Sequence, residues 1–170
     1  MKKSKTKMNV YYPIAIKLKN QHVVVVGGGP VAERKVESLC VAGASITVVA
    51  PCVTDTLKRL ASKRALTWIS RSVRADDLTG SRVVIAATND RVVNKKVRQW
   101  AKKKNILVNV VDNLDLCDFI SPAIIRTKKA IVTVYTNGKD PILSRDLKNF
   151  LQEHRNEFLL YRRKLKQRIA

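Results

Sequence analysis

Apolar residues along this chain fall into short unbroken runs separated by amphipathic stretches, and the two patterns alternate. Val23-Val24-Val25-Val26 is four β-branched residues ending at a glycine, too short for a buried helix and suited to a strand covered on both faces. Residues 31–42 follow with Val31, Val36, Leu39 and Cys40 at helical spacing, and Gly43 stands where a helix ends. The alternation then repeats, predicting strand Ile46–Val49, helix Thr54–Lys63, strand Leu66–Ile69, a loop holding Asp76-Asp77, and strand Val83–Ala87. Asn89 or Asp90 can cap a helix carrying Val93, Val97, Trp100 and Ala101, with Leu107–Val111 as the next strand. Strands separated by helices require right-handed crossovers and hence a mainly parallel sheet. Ahead of this series, Tyr12–Leu18 is a strand candidate, and the Lys19-Asn20 turn predicts an edge hairpin with the strand ending at Val26.

Past residue 112 the pattern changes. Phe119–Arg126 and Ala130–Thr136 are two strand-like segments joined by the short link Thr127-Lys128-Lys129, which predicts a hairpin. Asn137-Gly138-Lys139-Asp140-Pro141 is a turn by composition. A long helix follows, with Leu147, Leu151, Phe158, Tyr161, Leu165 and Ile169 on one stripe and Arg155, Arg162, Arg163, Lys166 and Arg168 on other faces. Such a stripe needs a partner, and with little chain left to cover it a second subunit is the expected one, against the alternative of an ordinary terminal helix on its own domain. The fold expected is α/β, a Rossmann-like doubly wound, mainly parallel sheet with a C-terminal β-hairpin and helix. Its parts are a basic N-terminus (1–11), a dinucleotide-binding domain (12–113), a dimerisation and substrate segment (114–146) and a C-terminal helix (147–170).

Composition narrows the partners. At 170 residues and 45% hydrophobic the chain can bury one substantial core. Its 34 Lys and Arg against 13 Asp and Glu give a net charge of +21 and favour anionic partners, whether nucleic acid, anionic lipid or a polycarboxylate metabolite. No motif or aromatic-studded basic stripe supports nucleic acid. Cys40, Cys52 and Cys117 form no close pair of the kind zinc sites or redox CxxC motifs use, and read as reduced thiols of a cytoplasmic protein. The basic start leads into no signal-peptide core, and no segment reaches membrane-spanning length, so no membrane partner is expected.

Candidate chemistry centres on Gly27-Gly28-Gly29-Pro30-Val31-Ala32, placed where a buried strand turns into a helix. Gly27 permits a tight turn, Gly29 lets backbone approach phosphate oxygens, and Ala32 lets the helix pack close, an arrangement suited to a dinucleotide pyrophosphate. Ligands of doubly wound sheets bind outside the carboxyl ends of the strands, where Gly27–Val31, Ala50-Pro51-Cys52, Thr88-Asn89-Asp90 and Asp112-Asn113 should converge. The second strand ends in Val48-Val49-Ala50-Pro51 without the usual ribose-binding acid, which by itself weighs against a dinucleotide. Thr88 and Asn89 can bind nucleotide or serve a helix cap. Asp112 emerges at a strand tip, where a carboxylate could accept the proton released as a hydride leaves, or could simply shape the loop; Asp115 and Asp118 lie nearby. His22 and His154 read as structural or surface residues. No Ser/His/Asp grouping, HExxH or P-loop is present.

Read together, several strings resemble the precorrin-2 dehydrogenase family, the N-terminal module of siroheme synthases. They are Tyr12-Pro13-Ile14, Val24 to Lys35, Gly43-Ala44, Thr47 to Pro51, Ala86 to Asp90, Asn109 to Asp112, Phe119 to Ala123 and Pro141 to Arg145, spanning roughly residues 12–150. The resemblance implies NAD as cofactor and oxidation of precorrin-2, a tetrapyrrole polycarboxylate, to sirohydrochlorin on the way to siroheme or cobalamin. It implies cofactor contacts at Pro30, Val31, Pro51 and Cys52, so that V-V-A-P becomes a family feature, and Asp112 as the essential base. Substrate contacts would fall at Asn113, Ser121, Thr136 and Gly138, with Thr136 keeping the hydroxyl of a serine found in some relatives. It also implies a homodimer, and iron insertion in some members, with the choice of iron or cobalt left open. Many members continue beyond the position of Ala170 or carry a methyltransferase domain, so the expectation is a dehydrogenase-only form. The alternative is a non-catalytic NAD(H)-sensing regulatory domain of a transporter.

Overall fold

His22–Val26 (β1) lies at the centre of the molecule's larger sheet, and its side chains feed both of the layers that cover it. Val23 and Val25 pack with Val36, Leu39, Leu57 and Ile85 on one face; Val24 and Val26 pack with Leu78, Val84, Val97 and Ala101 on the other. Both faces are dry, which is why the sequence there shows an apolar run rather than an alternation. The computed structural model describes residues 11–128 and 130–161. They form two units: Pro13–Ile120, and a second that joins Tyr11 and Tyr12 to the chain from Ser121 onward.

In the first unit α1 (Pro30–Val41), β2 (Ser45–Val49), α2 (Asp55–Ser62), β3 (Thr67–Ile69), β4 (Val83–Ala86), α3 (Arg91–Lys103) and β5 (Leu107–Val110) follow β1. The strands are ordered β3-β2-β1-β4-β5 and every pairing is parallel. Strand order therefore reverses between β1 and β4, the position at which such sheets open a crevice at their carboxyl ends. The three helices stop in the same way. Gly43, Arg64 and Asn105 take positive φ just past the cap, and the next amide reaches back to the helix: Ala44 N to Leu39 O, Ala65 N to Leu60 O, and Ile106 N to Ala101 O. This closure satisfies orphan carbonyls and turns the chain straight into the next strand.

The expected edge hairpin is absent. Residues 13–18 form no strand, although Lys19 and Asn20 do make the turn and Leu18 packs on the core. β1 already hydrogen-bonds β2 on one side and β4 on the other, so no edge remains for an antiparallel partner. The second unit holds β6 (Ala123–Arg126) and β7 (Ile131–Val134), an antiparallel pair in the register Ala123↔Val134 to Arg126↔Ile131. The first of these strands starts later than its apolar pattern, because Pro122 has no N–H to give a ladder. α4 (Pro141–Glu153) begins with Pro141 in its first turn and the Asp140 carboxylate accepting from Leu143 N at 2.7 Å. It breaks at His154, and residues 155–161 are helical again. The basic residues before Tyr11, together with Leu165, Ile169 and the arginines and lysines from 162 on, lie outside the described residues.

Candidate functional site

A cleft of about 860 Å³ opens at the carboxyl ends of β1, β2 and β4, within the range of roughly 300–1,000 Å³ usual for ligand sites. Gly27, Gly29, Pro30, Val31, Pro51, Cys52, Thr88 and Asn89 all line it. The wall also includes Gly28, from the same glycine turn, and Ser72, Val73, Lys96, Gln99 and Trp100, which sequence reasoning had not assigned to a site.

The three glycines have three different surroundings. Gly27 has φ +118, and a Cβ there would lie 2.3 Å from Ala87 O, so the turn passes directly over the end of β4. A Cβ on Gly28 would lie 2.1 Å from Cys52 O and 2.7 Å from Val53 Cγ1, so the 52–54 loop is packed on bare backbone. Thr54 N donates to Gly28 O at 3.0 Å and the Thr54 hydroxyl donates to Glu33, pinning that loop to α1. Gly29 meets nothing within 4 Å. It is the residue before α1, and no side chain caps that helix. Open space beside uncapped first-turn N–H groups is a cradle for an anion, and a dinucleotide pyrophosphate fits it.

Asp112 is not part of the cleft wall; it stands beside it, one residue past the hydrogen bond from Val111 N to Ala86 O that ends the ladder. Its Oδ1 accepts from Asn94 Nδ2 at 3.1 Å, and its Oδ2 lies 3.7 Å from Arg91 Nε. The side chain is 28% exposed. Asn94 also holds Thr88, taking hydrogen bonds from its N–H and hydroxyl and giving one to its carbonyl. Asp90, rather than Asn89, caps α3, accepting from Val92 N at 2.7 Å and Val93 N at 3.2 Å. Asn89 is thereby left to the cleft.

The nearby Asp118 carboxylate does other work. Asp118 accepts from Arg98 at 2.6 Å and from Val108 N at 3.1 Å, closing the loop after β5. Cys117 lies under the same loop. Its sulfur accepts from Val110 N at 3.1 Å and its S–H reaches Val110 O, while burial pushes the thiol pKa up and keeps it protonated. Half-buried Lys35 on α1 has its ammonium pKa lowered by burial, with Cys117 acting in the opposite direction. Asn113 spends its side-chain oxygen on Asp115 N at 3.0 Å, starting the short 3-10 turn Leu114–Leu116.

Ser121, Thr136 and Gly138 belong to the second unit. There the Thr136 hydroxyl is 2.8 Å from Asp140 O and 2.9 Å from Ser144 Oγ, and Gly138 turns with φ +70. His22 bonds Thr47 at 3.0 Å and His154 stacks on Phe150, and neither is among the residues that line the cleft. Among the described residues no group of three His, Cys, Asp or Glu could hold a metal ion.

A family model described as "Putative NAD(P)-binding" matches residues 14–123. The solved structure of SirC, a precorrin-2 dehydrogenase, superposes with a TM-score of 0.75 at 31% identity, covering 85% of this chain and 71% of that one. The chain belongs to the precorrin-2 dehydrogenase family. Siroheme synthases are similar to this family member as well. That of Pseudoalteromonas atlantica is 43% identical over 142 residues, and that of Blochmanniella pennsylvanica 44% over 142 residues. Each match covers 84% of this chain but only 31% and 30% of those proteins, so the chain spans about a third of the siroheme synthases it matches. The family model and the precorrin-2 dehydrogenase relative make NAD the cofactor, and the sheet order and the open turn at Gly29 suit its pyrophosphate.

Proposed function

We propose that this chain oxidises precorrin-2 to sirohydrochlorin with NAD. The observation that carries the reading is a dinucleotide-type cleft in a precorrin-2 dehydrogenase family member, with a carboxylate tethered to its wall through Asn94. NAD, when bound, supplies the hydride acceptor. The residues that would hold it are the turn Gly27–Val31, through backbone N–H groups at Gly29 and the first turn of α1, together with Pro51, Cys52, Thr88 and Asn89, which line the same cleft. The Asp112 carboxylate takes the proton that leaves the macrocycle, and positioned acid–base groups of this kind contribute about 10²–10⁴-fold. In this reading Asn113, Ser121, Thr136 and Gly138 contact the substrate, residues 12–113 bind the cofactor, and 114–146 with the helix from 147 serve substrate and dimer.

The dimer is part of the proposal. No residue of α4 is buried, and Leu147, Phe150 and Leu151 are 41%, 54% and 45% exposed. Neighbours four residues apart form an apolar face that a second copy would cover. No described helix is long and apolar enough to cross a membrane, and unpaired Cys40, Cys52 and Cys117 suit a reducing cytoplasm.

Anaerobic incubation of the chain with precorrin-2 and NAD should produce NADH and the sirohydrochlorin spectrum. Asp112→Asn should lower turnover by about 100-fold or more. NADH binding without turnover in the native chain would instead support a sensor, and native-like turnover of Asp112→Asn would remove the proposed base. A second arm with ferrous iron as substrate reads metal insertion from the spectrum of the metallated product.

A further inference from the structure

We infer that Asn94 is a positioning residue for Asp112, tying the orientation of that carboxylate to the cofactor-side loop at Thr88. The inference rests on the reading of Asp112 as the base. Asn94 lies one turn into α3 and is 1% exposed. Its amide orientation is dictated by partners that cannot exchange roles: Thr88 N–H only donates and lies 3.3 Å from Oδ1, with the Thr88 hydroxyl 2.8 Å from the same oxygen, so the NH2 must face the other way. There it donates to Thr88 O at 3.0 Å and to Asp112 Oδ1 at 3.1 Å. Every hydrogen-bonding position of a buried amide is thus filled, and turning it over would break three pairings, those with Thr88 N–H, Thr88 O and Asp112.

Two consequences follow for the carboxylate. An amide NH2 donates and never accepts, so at 3.1 Å it engages Oδ1 as an acceptor and holds the direction of the carboxylate. Oδ2, on the side of the exposed Arg91 guanidinium at 3.7 Å, is left as the oxygen that receives a proton. Thr88 lines the cofactor cleft, so a single side chain sets both the cleft wall and the direction of the base. Asn94 shares the buried stripe of α3 with Val97 and Ala101, and its amide serves two partners there, the Thr88 loop and the Asp112 carboxylate.

The test is a cycle of Asn94→Ala, Asp112→Ala and the double variant, followed by NADH formation from precorrin-2. Asn94→Ala should lower kcat by about 10- to 100-fold, the scale of a small misplacement of a reacting group. In the Asp112→Ala background the same change should alter residual kcat at saturating NAD less than about twofold, because the carboxylate it positions is gone, while the loss of its Thr88 contacts appears as the same rise in KM for NAD in both backgrounds. A merely structural role would lower both backgrounds by the same factor, and that result overturns the inference.

Asn94→Asp keeps the shape and places a second carboxyl against Asp112. The acid limb of kcat should move up by about one pH unit or more, since two adjacent carboxylates resist joint ionisation. The ¹³C carboxyl resonance of Asp112, assigned by its loss in Asp112→Asn, should titrate higher by the same amount; this reading needs neither turnover nor a folded Asn94→Ala. An unchanged profile and unchanged titration overturn the inference. Full turnover in Asp112→Ala overturns the reading of the base instead, so the two failures are distinguishable.

Discussion

Two adjacent glycines in one turn, Gly28 and Gly29, should respond to the same methyl group in opposite ways. In Gly28→Ala the new Cβ lies 2.1 Å from Cys52 O, where real contacts begin above 3.0 Å, so the 52–54 loop must retreat by about an ångström. That loop cannot move freely, being held by Thr54 N to Gly28 O and by the Thr54–Glu33 hydrogen bond. Overpacking against backbone of this kind costs about 3 kcal/mol. For a chain of this size that is a fall in Tm of about 6–12 °C. Gly29→Ala is different, with φ −84 and ψ −175 open to any residue and empty space around the new methyl. The entropic gain of about 0.4–1 kcal/mol is offset by alanine's poor fit before a helix, so Tm should change by less than about 3 °C. The methyl does occupy the anion's space, and NADH affinity should fall at least about tenfold, or about 1.4 kcal/mol. Thermal unfolding by circular dichroism reads the first effect. Quenching of Trp100, which lines the cleft, reads the second in an NADH titration. Unchanged NADH affinity in Gly29→Ala would show that no phosphate sits at this turn, and a native Tm for Gly28→Ala would refute the packing account.

Two further outcomes test other parts of the molecule. The Arg71 guanidinium donates to both oxygens of Asp77 at 2.6 and 2.7 Å, and these hydrogen bonds, with the one from Arg74 N, hold the Asp77 carboxyl below its ordinary 3.8. The folded chain therefore binds fewer protons than the unfolded chain below about pH 4, and the stabilisation is complete above that value and lost as pH falls through the folded pKa. Asp77→Asn should be less stable at neutral pH and should lose less further stability on acidification, as read by urea unfolding from pH 6 to 2; an equally steep acid limb would exclude this pair as a contributor. Replacing Leu147 and Leu151 by aspartate should shift sedimentation at micromolar concentration from dimer towards monomer, and an unaltered sedimentation profile would place the subunit contact elsewhere.

Local pattern was enough to predict the parallel sheet, since Val23–Val26 can satisfy four consecutive apolar side chains only between two covering layers, and the glycine turn follows from its place between that strand and a helix. Asp112 at a strand tip was legible for the same reason. Whether residues 12–18 form a strand was not, because their pattern permits one and the matter turns on β1 having no free edge. Gly28 and Gly29 are identical as letters, yet Cys52 and Val53 stand against one and nothing against the other. Asn94, 18 residues from Asp112, betrays itself in sequence only as a polar residue on an apolar helix stripe. Its partners come together through the crossover from β4 to β5. Periodicity and turn chemistry act over a few residues and can be read along the chain, whereas steric exclusion and hydrogen-bond closure depend on which distant backbone arrives in the same space, and folding alone decides that.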